Sequence, residues 1–207
     1  MFIRLLFFFL GLMILSLGIA MIIEANLGAS AWDVLHLGLE KTLGLTVGVW
    51  SQIVGFIVII ITFFLDKKMI TVGTVLNMIF VGLFLDLFIY ILPTIEDILF
   101  QYLILLLGIL VMGMGAGLYI TAKLGPGPRD GLLLALSNRF KTGIGKIKTT
   151  MEITVLIIGW FLGGPVFIGT LIASVFIGPI MQFAIKFWEK RLNSFFADNN
   201  VSFEKTV

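Results

Sequence analysis

Asn26-Leu27-Gly28-Ala29-Ser30-Ala31-Trp32-Asp33 and Lys123-Leu124-Gly125-Pro126-Gly127-Pro128-Arg129-Asp130 decide the fold, because the second stretch repeats the first 97 positions on. Leu-Gly recurs with an aspartate five residues after the glycine. The same offset pairs Leu10-Gly11 with Leu107-Gly108, Gly18 with Gly115, Ala25 with Ala122, Gly48 with Gly145 and Phe64-Leu65 with Phe161-Leu162. An offset of 96 then pairs Gly73-Thr74 with Gly169-Thr170, Phe80 with Phe176 and Gly82 with Gly178. A duplicated unit in a very apolar chain predicts a site or pore where two halves meet.

The chain has 207 residues, 59% of them hydrophobic and 13% charged, about half the charge density of soluble domains. Mean hydropathy is +1.14. At this length a soluble fold has no interior large enough to hide so much apolar surface, so the chain is expected to be polytopic in a membrane. Cysteine is absent and there is one histidine, which removes disulfides and argues against thiolate or histidine metal sites. No cofactor is expected. No basic face suits nucleic acid. The apolar run Leu5 to Ile23 is longer than a secretory h-region and has an internal counterpart at Tyr102–Ile120, so it reads as a membrane helix.

A crossing helix needs about 20 mostly apolar residues. The spans expected are roughly 3–23, 47–65, 70–91, 99–121, 147–163 and 166–187, broken at Gly28, Asp66-Lys67-Lys68, Pro93, Gly125 to Pro128 and Gly163-Gly164-Pro165. After the first span of each half lies a shorter helical pattern, Ala29–Thr46 and Pro126–Lys146, interrupted by Glu40-Lys41 and by Arg139 with Lys141. The fold class expected is all-α with six transmembrane helices, arranged as two inverted three-helix repeats, each with one short non-spanning helix. The first repeat is 1–97, the second 98–188, and 189–207 is a polar tail. With a cytoplasmic N-terminus, the inner segments collect all lysines and arginines except Lys41. Three spans per half send the second half in from the opposite side, the arrangement of many secondary transporters. Both termini are then cytoplasmic.

The two motifs, with Val34-Leu35-His36 after the first and Gly131 after the second, resemble those of the bacterial YczE/YyaS/YitT family of integral membrane proteins. The resemblance runs to about residue 188. Ala31 stands where that family commonly has proline before Trp-Asp. The resemblance implies a multi-pass protein of the bacterial cytoplasmic membrane and brings no substrate or reaction with it.

Function is therefore argued from residues. Asp33 and Asp130 are duplicated acids that fit a solute or proton site, or the first turn of a short helix, where a carboxylate answers free N–H groups. Arg129, whose counterpart is Trp32, fits a clamp on an anionic group, or a cytoplasm-facing arginine that obeys topology, or a local ion pair with Asp130. Leu27, Gly28, Gly125, Gly127 and Pro128 form backbone breaks of the kind tolerated at membrane depth when they line a cavity. Glu152 is a carboxylate inside a span, where burial costs about 2.5–3.5 kcal/mol at the centre, and Lys148 one turn earlier is its natural partner. His36 is a titratable group one turn after Asp33. No nucleophile–base pair, phosphate loop or metal motif points to an enzyme. The reading is a secondary transporter of a small polar or anionic solute, proton-coupled through Asp33, Asp130 or Glu152. The alternative is a non-transporting scaffold that holds a partner; it expects a packed centre between the two aspartates, where a transporter expects a hollow one.

Overall fold

The computed structural model describes residues 2–198, and these form an all-helical fold. The helices are α1 (Phe2–Glu24), α2 (Ala31–Leu43), α3 (Val47–Asp66), α4 (Val72–Ile91), α5 (Ile98–Thr121), α6 (Pro128–Phe140), α7 (Ile144–Phe161) and α8 (Ile168–Asp198), with a 3-10 turn at Lys67–Met69 between α3 and α4. Local chemistry sets their starts. Thr46 accepts from the Val49 amide at α3, Thr71 and Thr74 form a reciprocal capping box at α4, and Asp97 accepts from two amides at α5.

Among the described residues five helices are long and apolar enough to cross a membrane: α1, α3, α4, α5 and α8. The sequence pattern suggested six. The missing one is α7, which has 18 residues with Lys146, Lys148 and Glu152 in its first half, so its apolar stretch is short. The short helices α2 and α6 have 13 residues each, about 20 Å at 1.5 Å per residue, too short for a hydrocarbon core of about 30 Å. The outer surface carries exposed Phe56, Phe64, Leu106, Leu171 and Phe183, which a bilayer would cover. The molecule is a multi-pass membrane protein.

The centre is the crossing of α1 and α5, flanked by α4 on the α1 side and α8 on the α5 side. Glycines let the two backbones meet: a Cβ on Gly11 would lie 2.8 Å from the Tyr119 Cα, and one on Gly115 the same distance from the Leu15 Cα. Phe8, Leu12, Leu105 and Ile109 fill the crossing.

The two Leu-Gly breaks share one backbone shape. Asn26 and Lys123 have φ of 55° and 54°, and Gly28 and Gly125 have 102° and 127°. Each break docks on the start of a helix from the other half. The Thr71 hydroxyl donates to the Leu124 carbonyl (3.2 Å) and that of Thr74 to the Pro126 carbonyl (2.8 Å). Opposite, the Gly169 amide donates to the Leu27 carbonyl (2.7 Å). Gly73 and Gly169 are the close-approach points, where a Cβ would fall against the carbonyl groups of Leu124 and Leu27.

The third helices differ in a way the sequence does not announce. α3 packs along α4, and at its first turn a Cβ on Gly48 would lie 2.5 Å from the Asp86 carboxyl carbon. Asp86 accepts from the Gly48 amide (2.7 Å) and the Thr46 hydroxyl (2.5 Å). The equivalent residues at the other end do not touch. A Cβ on Gly145 would meet nothing within 4 Å, and one on Gly178 only the Lys148 Nζ, at 4.0 Å. α7 packs on α2 and α6 without comparable packing on α8. Lys41, in the last turn of α2, donates to the Gly163 carbonyl, which places the end of α7 beside the end of α2, three residues before α3 begins. Gly145, near the far end of α7 and so about 27 Å away, lies towards the opposite face.

α8 runs unbroken to Asp198, past Trp188, where the sequence led us to end the membrane part. Glu189-Lys190-Arg191 ends an apolar run but not a helix, and Leu192 is buried against Leu118. Residues 199–207 of the expected tail lie outside the described residues.

Candidate functional site

The tips of α2 and α6 meet beside the α1–α5 crossing. There the first two turns of α2 present Trp32, Asp33 and His36, and the first turn of α6 presents Pro128, Arg129 and Asp130. The Arg129 guanidinium carbon lies 4.8 Å from the centre of the Trp32 ring, so the two repeat-related residues touch. Its Nη2 is 3.9 Å from Asp33 Oδ1, an ion pair across the two halves. Residues 129 and 130, one step apart on a helix, point about 100° apart, so Arg129 turns to Asp33 rather than to its neighbour.

Neither acid caps its own helix through a hydrogen bond. Asp33 accepts from the Ser30 hydroxyl, and Asp130 Oδ2 accepts from the Tyr119 hydroxyl (2.7 Å). Both still lie in the first turn, where the macrodipole favours a negative charge. Asp33 is 1% exposed. Burial pushes its carboxyl up from the ordinary range, while Arg129 and the Ser30 hydroxyl pull it down. His36, equally buried, has its imidazole held well below the ordinary value by burial and then by Arg129, so it is neutral at pH 7. Neither of its ring nitrogens has a hydrogen-bond partner, and nor does Asp33 Oδ1.

Between the tips lies a cavity of about 150 Å3. Trp32, His36, Gly127, Pro128, Arg129 and Asp130 border it. Ser51, Asn77 and Tyr119 add polar groups, and Leu15, Ile19, Met78, Met112 and Met181 form an apolar wall. Every helix but α7 contributes. Of the residues singled out from sequence, Asp33 stands just behind the wall, and Leu27, Gly28 and Gly125 build the breaks that aim the tips. Glu152 stands apart from the cavity lining and pairs with Lys148 (3.8 Å). Among the described residues no three His, Asp or Glu side chains converge as metal ligands.

Sequence reasoning missed Tyr119, whose counterpart 97 positions earlier is the apolar Ile22. A hydroxyl present in only one copy was the available signal. Tyr119→Phe removes the donor to Asp130 and is expected to lower stability by about 1–3 kcal/mol, read as a lower unfolding temperature of the purified protein. An unchanged temperature would mean that water replaces the hydroxyl and Asp130 is solvated.

Residues 2–186 match the model of a family described as "Family of unknown function (DUF6198)". The chain is 36% identical over 180 residues to "Uncharacterized membrane protein YczE" of Bacillus subtilis, covering 86% of this chain and 84% of that one. It is 34% identical over 172 residues to an "Uncharacterized protein" of Haemophilus influenzae, covering 83% and 78%. With "Uncharacterized protein YyaS" of Bacillus subtilis the identity is 28% over 176 residues, covering 84% and 88%. No solved structure matches.

Proposed function

The chain belongs to the family of unknown function DUF6198, and from that premise we propose that it is a secondary transporter of a small polar or anionic solute. It works by alternating access between two inverted repeats, with α7 completing the second set of three crossings. By the distribution of lysine and arginine, the Gly145 end faces the cytoplasm and the Gly48 end faces out.

One observation carries this reading: two glycine pairs related by the repeat are in opposite states. Gly48 and Gly82 are in contact at one end, while Gly145 and Gly178 stand apart at the other. A site reachable from one side, between halves able to exchange these states, is what alternating access requires. The hollow centre between the two aspartate-bearing tips supports the same reading, since a scaffold has no use for it.

The chain contains no cysteine, so introduced pairs can be spin-labelled without background. Leu45 with Tyr90 reports the outer end, and Thr142 with Lys186, their repeat counterparts, the inner end. The expected result is two distances for each pair, exchanging in opposite senses as conditions change. One fixed distance at both ends, in all conditions, would end the transport reading.

A further inference from the structure

We infer that the solute held between α2 and α6 is a small zwitterion of the amino-acid class, with one carboxylate, one protonated amine and a short apolar side chain. This rests on reading the cavity as the solute site.

The polar atoms left uncommitted there are of both kinds. Arg129 lies over Trp32 and stands 3.9 Å from Asp33, beyond hydrogen-bond reach, so its N–H fork remains available. His36 borders the cavity with both ring nitrogens unpartnered while being 1% exposed. A planar carboxylate fits that fork in a bidentate pair, and the imidazole N–H supplies a further donor. On the acceptor side Tyr119 occupies Asp130 Oδ2, leaving Oδ1 for an ammonium. A buried polar group without a partner is costly, and a ligand that answers donors and acceptors together removes that cost.

The charge balance agrees. Arg129 brings one positive charge, Asp33 and Asp130 two negative ones and His36 none, while Glu152, whose field also reaches Arg129, is answered by Lys148. The starts of α2 and α6 each add about half a positive charge. The empty site is therefore close to neutral, and a zwitterion leaves it so. A simple carboxylate would set a new negative charge beside Asp130, and a simple amine would leave the Arg129 fork unanswered. Beyond the polar groups the wall is Leu15, Ile19, Met78, Met112 and Met181, and thioethers adapt to different alkyl shapes. The 150 Å3 corresponds to about five waters, and cavities of about this volume hold a molecule the size of benzene, so a short aliphatic amino acid fits. Inorganic phosphate would leave the apolar wall unused.

The test is calorimetric titration of the purified full chain, in nanodiscs, with glycine, alanine, valine and leucine. The controls are 3-methylbutanoate, which is valine without its amine, 2-methylpropan-1-amine, which is valine without its carboxylate, and phosphate. At least one of the four amino acids should bind. Valine should bind about tenfold or more tightly than either single-charge analogue. Arg129→Gln should weaken valine by a similar factor, and the analogue series on the unaltered protein stands even where that variant folds poorly. An analogue binding as tightly as valine, or no binding by any of the four amino acids, overturns the inference. Label distances recorded on the same preparations separate the two readings. Exchange between states without amino-acid binding ends the zwitterion and keeps transport. Amino-acid binding without exchange keeps the site and ends transport.

Discussion

Gly125→Val is expected to destabilise the protein by about 3–5 kcal/mol, because it combines backbone strain with a clash. Gly125 has φ of 127°, on the left-handed side that a β-branched residue does not tolerate. Its Cβ would also lie 2.7 Å from the Thr71 Cβ, in the contact that seats the second break on α4. Thr71 and Thr74 donate there to the carbonyls of Leu124 and Pro126, which no helix satisfies. Pushing the break away would strip those carbonyls of their donors inside the protein. In a chain of this size the unfolding temperature should fall by about 10 °C. Gly28→Val should act alike, since Gly28 has φ of 102° and a Cβ there would lie 2.6 Å from the Thr170 hydroxyl. Gly143→Ala is the control, at an ordinary φ of −58° with nothing within 4 Å of its Cβ. A Gly125→Val protein that melts with its parent would show that the break does not dock on α4.

Those glycines explain why so much of the architecture was legible in the sequence. A left-handed turn, or a backbone lying on another backbone, leaves few choices of residue, so both copies kept Gly28 and Gly125, Gly18 and Gly115, Gly73 and Gly169. Apolar runs marked α1, α3, α4, α5 and α8 because a bilayer imposes length and composition together. The six-span count rests on reading 147–163 as a span; α7 begins three residues earlier and carries Lys146, Lys148 and Glu152 in its first half, so its apolar stretch is short. The apolar run ends near Trp188 while α8 continues, because a change from apolar to charged residues marks a membrane surface, not a helix end. The site was half visible. Trp32, His36, Arg129 and Asp130 came from the motifs and do meet at one cavity. Met78 and Met181 reach it from apolar spans, where nothing in a local pattern separates a lining residue from a packed one, and Tyr119 stands out only against its counterpart Ile22. The partnership of Arg129 with Asp33 is also tertiary, set by how α6 is turned against α2.

Gly48→Leu is expected to hold the outer end open. In the observed state the first turn of α3 lies against α4 with no room for a side chain. A Cβ on Gly82 would lie 2.5 Å from the Gly48 carbonyl oxygen and 2.6 Å from the Gln52 Cγ. Asp86 fastens that contact through the Gly48 amide and the Thr46 hydroxyl. Overpacking of this kind costs about 1–3 kcal/mol, enough to shift a two-state balance by about 5- to 150-fold. An alternating protein escapes the clash by parting Gly48 from Gly82 and bringing Gly145 to Gly178. The Leu45–Tyr90 distance should then lengthen and the Thr142–Lys186 distance shorten. A rigid protein has no such escape; it would melt lower with both distances unchanged, and that result would remove the main support for transport. Gly145→Leu sharpens the contrast. Nothing lies within 4 Å of its Cβ, so in the observed state the substitution should leave the unfolding temperature where it is. Its side chain would intrude only when the inner end closes against Gly178. A variant as stable as its parent, fixed in one state and about 100-fold slower in solute flux, is the outcome that alternating access requires and fixed packing does not provide.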